Sequence, residues 1–283
     1  TGERKQGSQK QGRLNQVTDA PTKPPVKIGI LDSGVGGLSV LREVHRLLPR
    51  VPIHYVGDSA WCPYGNKAPE MINNRVFEIT DHLIEGGATL IMIACNSATI
   101  HSVGPLRNAY LLPIVGMEPG VKPAAETTKS GVVGVLATEA SIAGEKFHQL
   151  VNNHARGVKV ITQPCPRFVE LVEAGTLNGP EAEKAISESI TPLLDADADV
   201  LVLGCTHYPF LSPVIKSQLP AEVSLIDTGV AVAKRVKNLL PGELPATGET
   251  EIFIETTGSL EHLDEILPKL LPGITAKTAF CLL

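Results

Sequence analysis

From Val26 onward, short apolar runs alternate with amphipathic segments. VKIGILD (26–32) leads into an amphipathic stretch from Leu38 to Leu48, and IHYVGD (53–58) into one through Arg75 to Glu85. TLIMIAC (89–95) leads into one reaching Asn108, and LPIVGM (112–117) follows. This is the βαβ pattern of a mostly parallel sheet with helices on both faces. The second half repeats the plan. GVVGVLAT (131–138) precedes a helix from Ser141 to Asn152, and VKVITQPCP (158–166) one from Phe168 to Ala174. DVLVLGCTHYP (199–209) precedes a helix ending at Gln218, and VSLIDTG (223–229) one from Val230 to Leu240. Each half also pairs a polar strand end with a later strand-terminal cysteine, Asp32 with Cys95 and Thr138 with Cys205. The expected fold is α/β, with a ligand at the carboxyl ends of the strands, and the repeated plan is what a duplicated unit would give. Thr1–Pro25 has almost no large apolar groups and reads as a disordered tail.

With 283 residues, 43% of them hydrophobic, the chain can build a large core around a cleft. A formal charge of −5 with no basic block gives no electrostatic footprint for nucleic acid, which favours a small neutral or zwitterionic ligand. Five cysteines without a C-x-x-C pair argue against a disulfide framework and a structural zinc site, and for a reducing, cytoplasmic setting. No apolar run is long enough for a membrane helix.

Two stretches have the same shape: IMIACNSAT (91–99) and LVLGCTHYP (201–209) each end an apolar strand in a cysteine followed by hydrogen-bonding residues. A strand end entering a helix places sulfur near backbone N–H groups and a positive dipole end, which favours the thiolate. A single such cysteine reads as core; two of them, facing each other from two domains, suit removal of a proton from one side of a carbon and its return on the other. That reaction is racemisation, and it needs one thiolate and one thiol. Asp32 is then placed to assist Cys95, and His207 with Glu173 to assist Cys205. Ser33, Asn96, Ser97, Thr138 and Thr206, with helix N-termini, supply hydrogen bonds for carboxylates and an ammonium group.

Other motifs carry less. DSGVGGLS (32–39) is a glycine-rich strand-to-helix turn, but its Asp32 would repel a pyrophosphate, and Ser39 stands where a dinucleotide fingerprint needs glycine. WCPYGNK (61–67) is a loop able to offer the Tyr64 hydroxyl and the Gly65 backbone. DADAD (195–199) lacks the glycine and glutamate of a calcium loop, and His148 and His154 share no helix face.

LDSGVGGLSV, PYG, ACNSAT, CPRFVELVE and LGCTHYP, in this order, resemble the glutamate racemases, cofactor-independent members of the aspartate/glutamate racemase superfamily. The resemblance runs from Val26 to about Leu240. It implies two pseudo-symmetric α/β domains, 26–118 plus 229–283 and 119–228, with the active site in the cleft between them, two cysteines as an acid/base pair, D-glutamate production for peptidoglycan, no metal and no cofactor, and a homodimer. It also implies substrate contacts at Asp32, Ser33, Tyr64, Gly65, Asn96, Ser97, Thr206 and His207. Ser97 departs from the threonine usual in the family. An aspartate racemase is the nearest rival, but its relatives typically carry glutamate where this chain has His207. A non-catalytic two-lobed amino-acid binding module would share the cleft without needing paired thiols.

Overall fold

The computed structural model describes residues 26–245, 247 and 250–283; the expected tail lies outside the described residues. The chain begins β1 (Ile28–Asp32), α1 (Leu38–Leu47), β2 (Ile53–Gly57), α2 (Pro69–Glu85), β3 (Leu90–Ile93), α3 (Asn96–Ala109) and β4 (Ile114–Val115). It continues through α4 (Val121–Thr127), β5 (Val132–Ala137), α5 (Glu139–Ala143), α6 (Glu145–His154), β6 (Lys159–Pro164), α7 (Pro166–Glu173) and α8 (Pro180–Leu194). The remainder is β7 (Val200–Leu203), α9 (Ser212–Gln218), β8 (Ser224–Ile226), α10 (Gly229–Leu239), β9 (Ile252–Thr256), α11 (Leu260–Leu270) and β10 (Lys277–Phe280). No helix among the described residues is long and apolar enough to cross a membrane.

Two wholly parallel sheets form, with orders β10-β9-β2-β1-β3-β4 and β6-β5-β7-β8. Apart from the added β9 and β10, the orders are the same, so β1 and β3 correspond to β5 and β7. Register makes the correspondence residue by residue. Leu31 pairs with Ile93 in one sheet and Leu136 with Leu203 in the other, and each cysteine follows two residues after the second partner. Ser33, rather than Asp32, is therefore the counterpart of Thr138. The pairing read from the sequence is one residue out, because spacing along the chain does not reveal where a ladder ends.

Strands buried on both faces need apolar residues at nearly every position, and the burial of β1, β3 and β7 shows this. Ile28 and Ile30 join a central core that continues through Leu38, Leu41 and Val44 of α1 into Leu136, Leu201, Phe168 and Val172 of the second sheet's layers. Leu31, Val56, Ile91 and Ile93 face outward onto α2 and α3. Val133, Val135, Val200 and Val202 face a third cluster with Val121 and Phe147. The central cluster welds the two sheets together so that their carboxyl edges meet.

Several elements differ from expectation. The helix expected over Ser141–Asn152 is split into α5 and α6 at Gly144, whose backbone is extended (φ −68°, ψ 134°). The segment after β7 opens with a 3-10 turn, Tyr208–Leu211, before α9. Pro209 has no N–H to give an α-helix there.

Candidate active site

Cys95 and Cys205 stand at equivalent strand ends but in different surroundings. Cys95 is the N-cap of α3: its sulfur accepts the Ala98 N–H at 3.4 Å, and its thiol donates to Ser33 Oγ at 3.6 Å. Burial, and then the Asp32 charge, push this thiol up to about 12, so Cys95 is a neutral thiol. Cys205 enters a 3-10 turn, so the helix N-terminus expected for it is absent. Its companion is His207, whose Nδ1 lies 3.6 Å from the sulfur.

His207 Nε2 meets Glu173 Oε1 at 2.6 Å, and the same oxygen accepts the Val35 N–H at 2.9 Å. Burial opposes a charge on His207, but hydrogen bonds to Cys205, Cys62 and Glu173 outweigh it and raise the imidazole well above its ordinary range. Burial likewise opposes the Glu173 charge, and the bond to His207 overcomes it and lowers the carboxyl. The two form an imidazolium–carboxylate pair. A doubly protonated ring donates from both nitrogens, so Nδ1–H points a charge-assisted donor at Cys205 Sγ.

Both cysteines line one chamber, with Ser33, Tyr64 and Gly65 from the first domain's loops and Thr138, Val169, Thr206 and His207 opposite. In this arrangement its free volume is about 20 Å³, room for roughly one water. It communicates through Pro63, Gly65, Thr138 and Val169 with a vestibule of about 490 Å³ lined by Ser59, Cys62, Asn66, Glu139 and Glu170.

The glycine-rich turn owes its composition to the second domain. A Cβ on Gly34 would overlap Glu173 Oε1, and one on Gly36 would fall on His207 Nδ1 and 2.6 Å from Thr206 Oγ1. The Gly34 and Val35 N–H groups are taken by Asp32 and Glu173, so the turn presents carboxylates where a phosphate cradle would leave free donors. Asp32 is fully buried and accepts Thr206 Oγ1 at 3.1 Å. Burial raises its carboxyl, while the His207 charge pulls it down. No hydrogen bond joins it to Cys95; Ser33 makes that contact, and Asp32 acts on the thiol through its charge.

The other expected residues divide by what their polar atoms already do. The Tyr64 hydroxyl, expected to face a ligand, donates instead to Asp58 Oδ2 at 2.6 Å. Arg75 grips Asp58 with Nε and an η nitrogen at 2.8 Å each, and only the rest of Tyr64 walls the chamber. Thr138 Oγ1 caps α5 through the Ser141 N–H and lies 3.3 Å from Ser97 Oγ, bridging the domains. Gly65 passes Thr138 so closely that a Cβ would sit 3.3 Å from it. Asn96 differs: it lines the chamber, and its Oδ1 is buried without a protein partner. An orphaned acceptor in a ligand chamber suits a donor such as an ammonium group.

Sequence reasoning missed Cys62, Ser141 and the Asp58–Arg75 pair. Cys62 Sγ donates to Glu173 Oε1 at 3.5 Å, and burial pushes its thiol up to about 11. Cys62, Glu173 and His207 offer ligand atoms within 4.8 Å of one another, a set able to hold a soft divalent ion, although Glu173 and His207 already bond each other. No local signal ties Cys62 to partners so distant in the chain. Arg75 and Asp58 were legible only as a helix start and a strand end.

Comparison with known proteins agrees with this geometry. Residues 28–236 match the family model described as Asp/Glu/hydantoin racemase. A curated glutamate racemase of Ectopseudomonas mendocina (strain ymp) is 49% identical over 247 residues, covering 86% of this chain and 94% of its own. The crystal structure of Escherichia coli glutamate racemase in complex with L-glutamate and the activator UDP-MurNAc-ala superposes with a TM-score of 0.81 at 32% identity, over 92% of this chain and 100% of the other. That of the Francisella tularensis subsp. tularensis SCHU S4 glutamate racemase in complex with D-glutamate gives 0.78 at 26% identity, over 92% and 98%. With a family match across most of its length and close relatives covering nearly all of its described residues, the chain belongs to the Asp/Glu/hydantoin racemase family, among its glutamate racemases.

Proposed function

We propose that this enzyme interconverts L- and D-glutamate without a cofactor, using Cys95 and Cys205 as a two-base pair, and so supplies D-glutamate for peptidoglycan. The observation that carries this reading is the placement of the two cysteines at equivalent strand ends on one chamber, in different hydrogen-bonding surroundings. Relatives of this chain bind L-glutamate and D-glutamate.

In the L-to-D direction Cys205, beside His207, acts as the base and Cys95, held as a thiol, as the acid. The Cys205 thiolate takes the α-proton of L-glutamate, and the electron pair remains on the α-carbon. The Cys95 thiol delivers its proton to the opposite face, which yields D-glutamate, a Cys95 thiolate and a Cys205 thiol. Conversion of D-glutamate runs the same steps backwards. Asn96 Oδ1 accepts from the substrate ammonium, while Ser33, Ser97, Thr138, Thr206 and the Gly65 backbone line the carboxylate positions. Asp32 and Glu173 hold Thr206 and His207, and the Tyr64 ring closes the wall. Free cysteines at all five positions support a reducing cytoplasm, and a homodimer rests on the family resemblance alone.

L-glutamate incubated with the enzyme in deuterated water tests the reading. Racemisation with deuterium entering the α-position of the D product is expected. Binding without exchange would leave a two-lobed amino-acid receptor, and exchange of aspartate in preference to glutamate would move the substrate.

A further inference from the structure

On the α2 face of the first sheet, three potential ligands from three elements converge away from the chamber. His54 of β2 and His82 in the last turn of α2 both aim Nε2 at Oε2 of Glu255 on β9, at 2.5 Å and 2.6 Å. None of the three lines the chamber or its vestibule. His54 and Glu255 are buried, while the His82 side chain is 29% exposed, so the cluster opens to solvent on one side.

The three ligand atoms lie within 4.8 Å of one another, and one carboxylate oxygen is shared by two imidazole nitrogens that both point at it. The Lys27 ammonium is engaged by the Gly86 carbonyl at 2.8 Å.

We propose that His54, His82 and Glu255 form a binding site for a divalent transition-metal ion of the zinc class, with water as the fourth ligand on the His82 side. Two imidazole nitrogens and one carboxylate oxygen suit zinc or cobalt and are poor for magnesium or calcium, which prefer all-oxygen sites. The ion takes the place of the two N–H···O protons, and each ring then binds through Nε2 and carries its proton on Nδ1. Metal–ligand distances of about 2.0–2.2 Å require the ligand atoms to separate to roughly 3.3 Å in a tetrahedral site. His82, at a half-exposed helix end, supplies that movement. The bound ion ties β9 to β2 and α2 and so strengthens the first domain without touching the reaction.

Cobalt(II) titrated into the intact, chelator-treated protein tests this. The expected result is one equivalent bound with visible d–d bands, no thiolate-to-cobalt charge transfer, displacement by zinc, and a rise in Tm with saturating zinc. His82→Ala should weaken binding by about tenfold or more and leave racemisation at the wild-type rate. Should that variant fold poorly, imidazole ¹⁵N shifts in the wild-type protein decide, since the metal must move both His54 and His82. The proposal is overturned if no cobalt binds at millimolar concentration, if a thiolate band shows that the metal sits on cysteine, or if His82→Ala binds as tightly as wild type.

Discussion

Gly36→Ala puts the domain contact to a direct test. The added methyl would occupy the space of His207 Nδ1 and lie 2.6 Å from Thr206 Oγ1. An ordinary contact is 3.4 Å or more, so both neighbours must retreat by about 1 Å, the scale on which core overpacking costs about 1–3 kcal/mol. Neither moves freely: His207 is held by Glu173 at 2.6 Å and Thr206 by Asp32 at 3.1 Å. A shift of about 1 Å parts Nδ1 from Cys205 Sγ, and misplacement on that scale costs roughly 10²-fold in rate. The assay is kcat and KM in both directions, with Tm by calorimetry. A fall in kcat of about 10²-fold and a Tm lowered by about 3–10 °C are expected. Gly104→Ala in α3 is the control, since a Cβ there meets nothing within 4 Å; its rate should be unchanged and its Tm level or higher. A Gly36→Ala enzyme with wild-type rate and Tm would refute the claim that this turn is shaped to hold His207.

Three further outcomes follow from the same geometry. Glu173→Gln should destabilise by about 3 kcal/mol, because it leaves a buried imidazolium unpaired. Glu173 is held low, so its contribution is present above its ordinary value of 4.5 and lost as pH falls through its folded value; His207 is held high, so its contribution is present below 6.5 and lost as pH rises through its folded value. The Tm gap between wild type and Glu173→Gln should therefore be widest between about pH 4.5 and 6.5, and a gap that is flat from pH 4 to 10 counts against the ion pair. Arg75→Met leaves the buried Asp58 carboxylate without its cation while Tyr64 and Thr257 still donate to it, costing about 3–5 kcal/mol in urea unfolding; a loss under 1 kcal/mol would show that the pair is dispensable. Exhaustive treatment with a chelator should leave kcat unchanged, and loss reversed only by added metal would contradict thiol-only chemistry.

The strands β1 to β5 and β7 were legible because parallel strands buried on both faces must be apolar almost throughout, the edge strands β6 and β8 from their place in the repeated plan, and the cysteines because each breaks such a run at its carboxyl end. What was not legible depended on register or on contacts between distant segments. The correspondence of Ser33 with Thr138 needs the ladders, and Ser33, not Asp32, touches Cys95 as a result. The glycines at 34 and 36 read only as a tight strand-to-helix turn because their reason, Glu173 and His207, lies in the other domain. Tyr64 looked like a ligand contact because nothing local shows that Asp58 and Arg75 claim its hydroxyl. The helix α8 carried a readable pattern, with Ala182, Ile186, Ile190 and Leu193 buried on one face, but Pro192 breaks it near its end. Strands β9 and β10 extend the first sheet from residues beyond the repeated plan, where no internal match guides the eye.

The central claim is that each thiol serves one enantiomer, and the most direct measurement uses a glutamate analogue whose α-proton loss expels a β leaving group. Elimination needs only one base, so a variant with one thiol should still process one enantiomer. The account predicts that Cys95→Ser eliminates from the L analogue through Cys205, that Cys205→Ser eliminates from the D analogue through Cys95, and that neither racemises glutamate appreciably. Either variant racemising glutamate at the wild-type rate, or both retaining the same enantiomer in elimination, would contradict it.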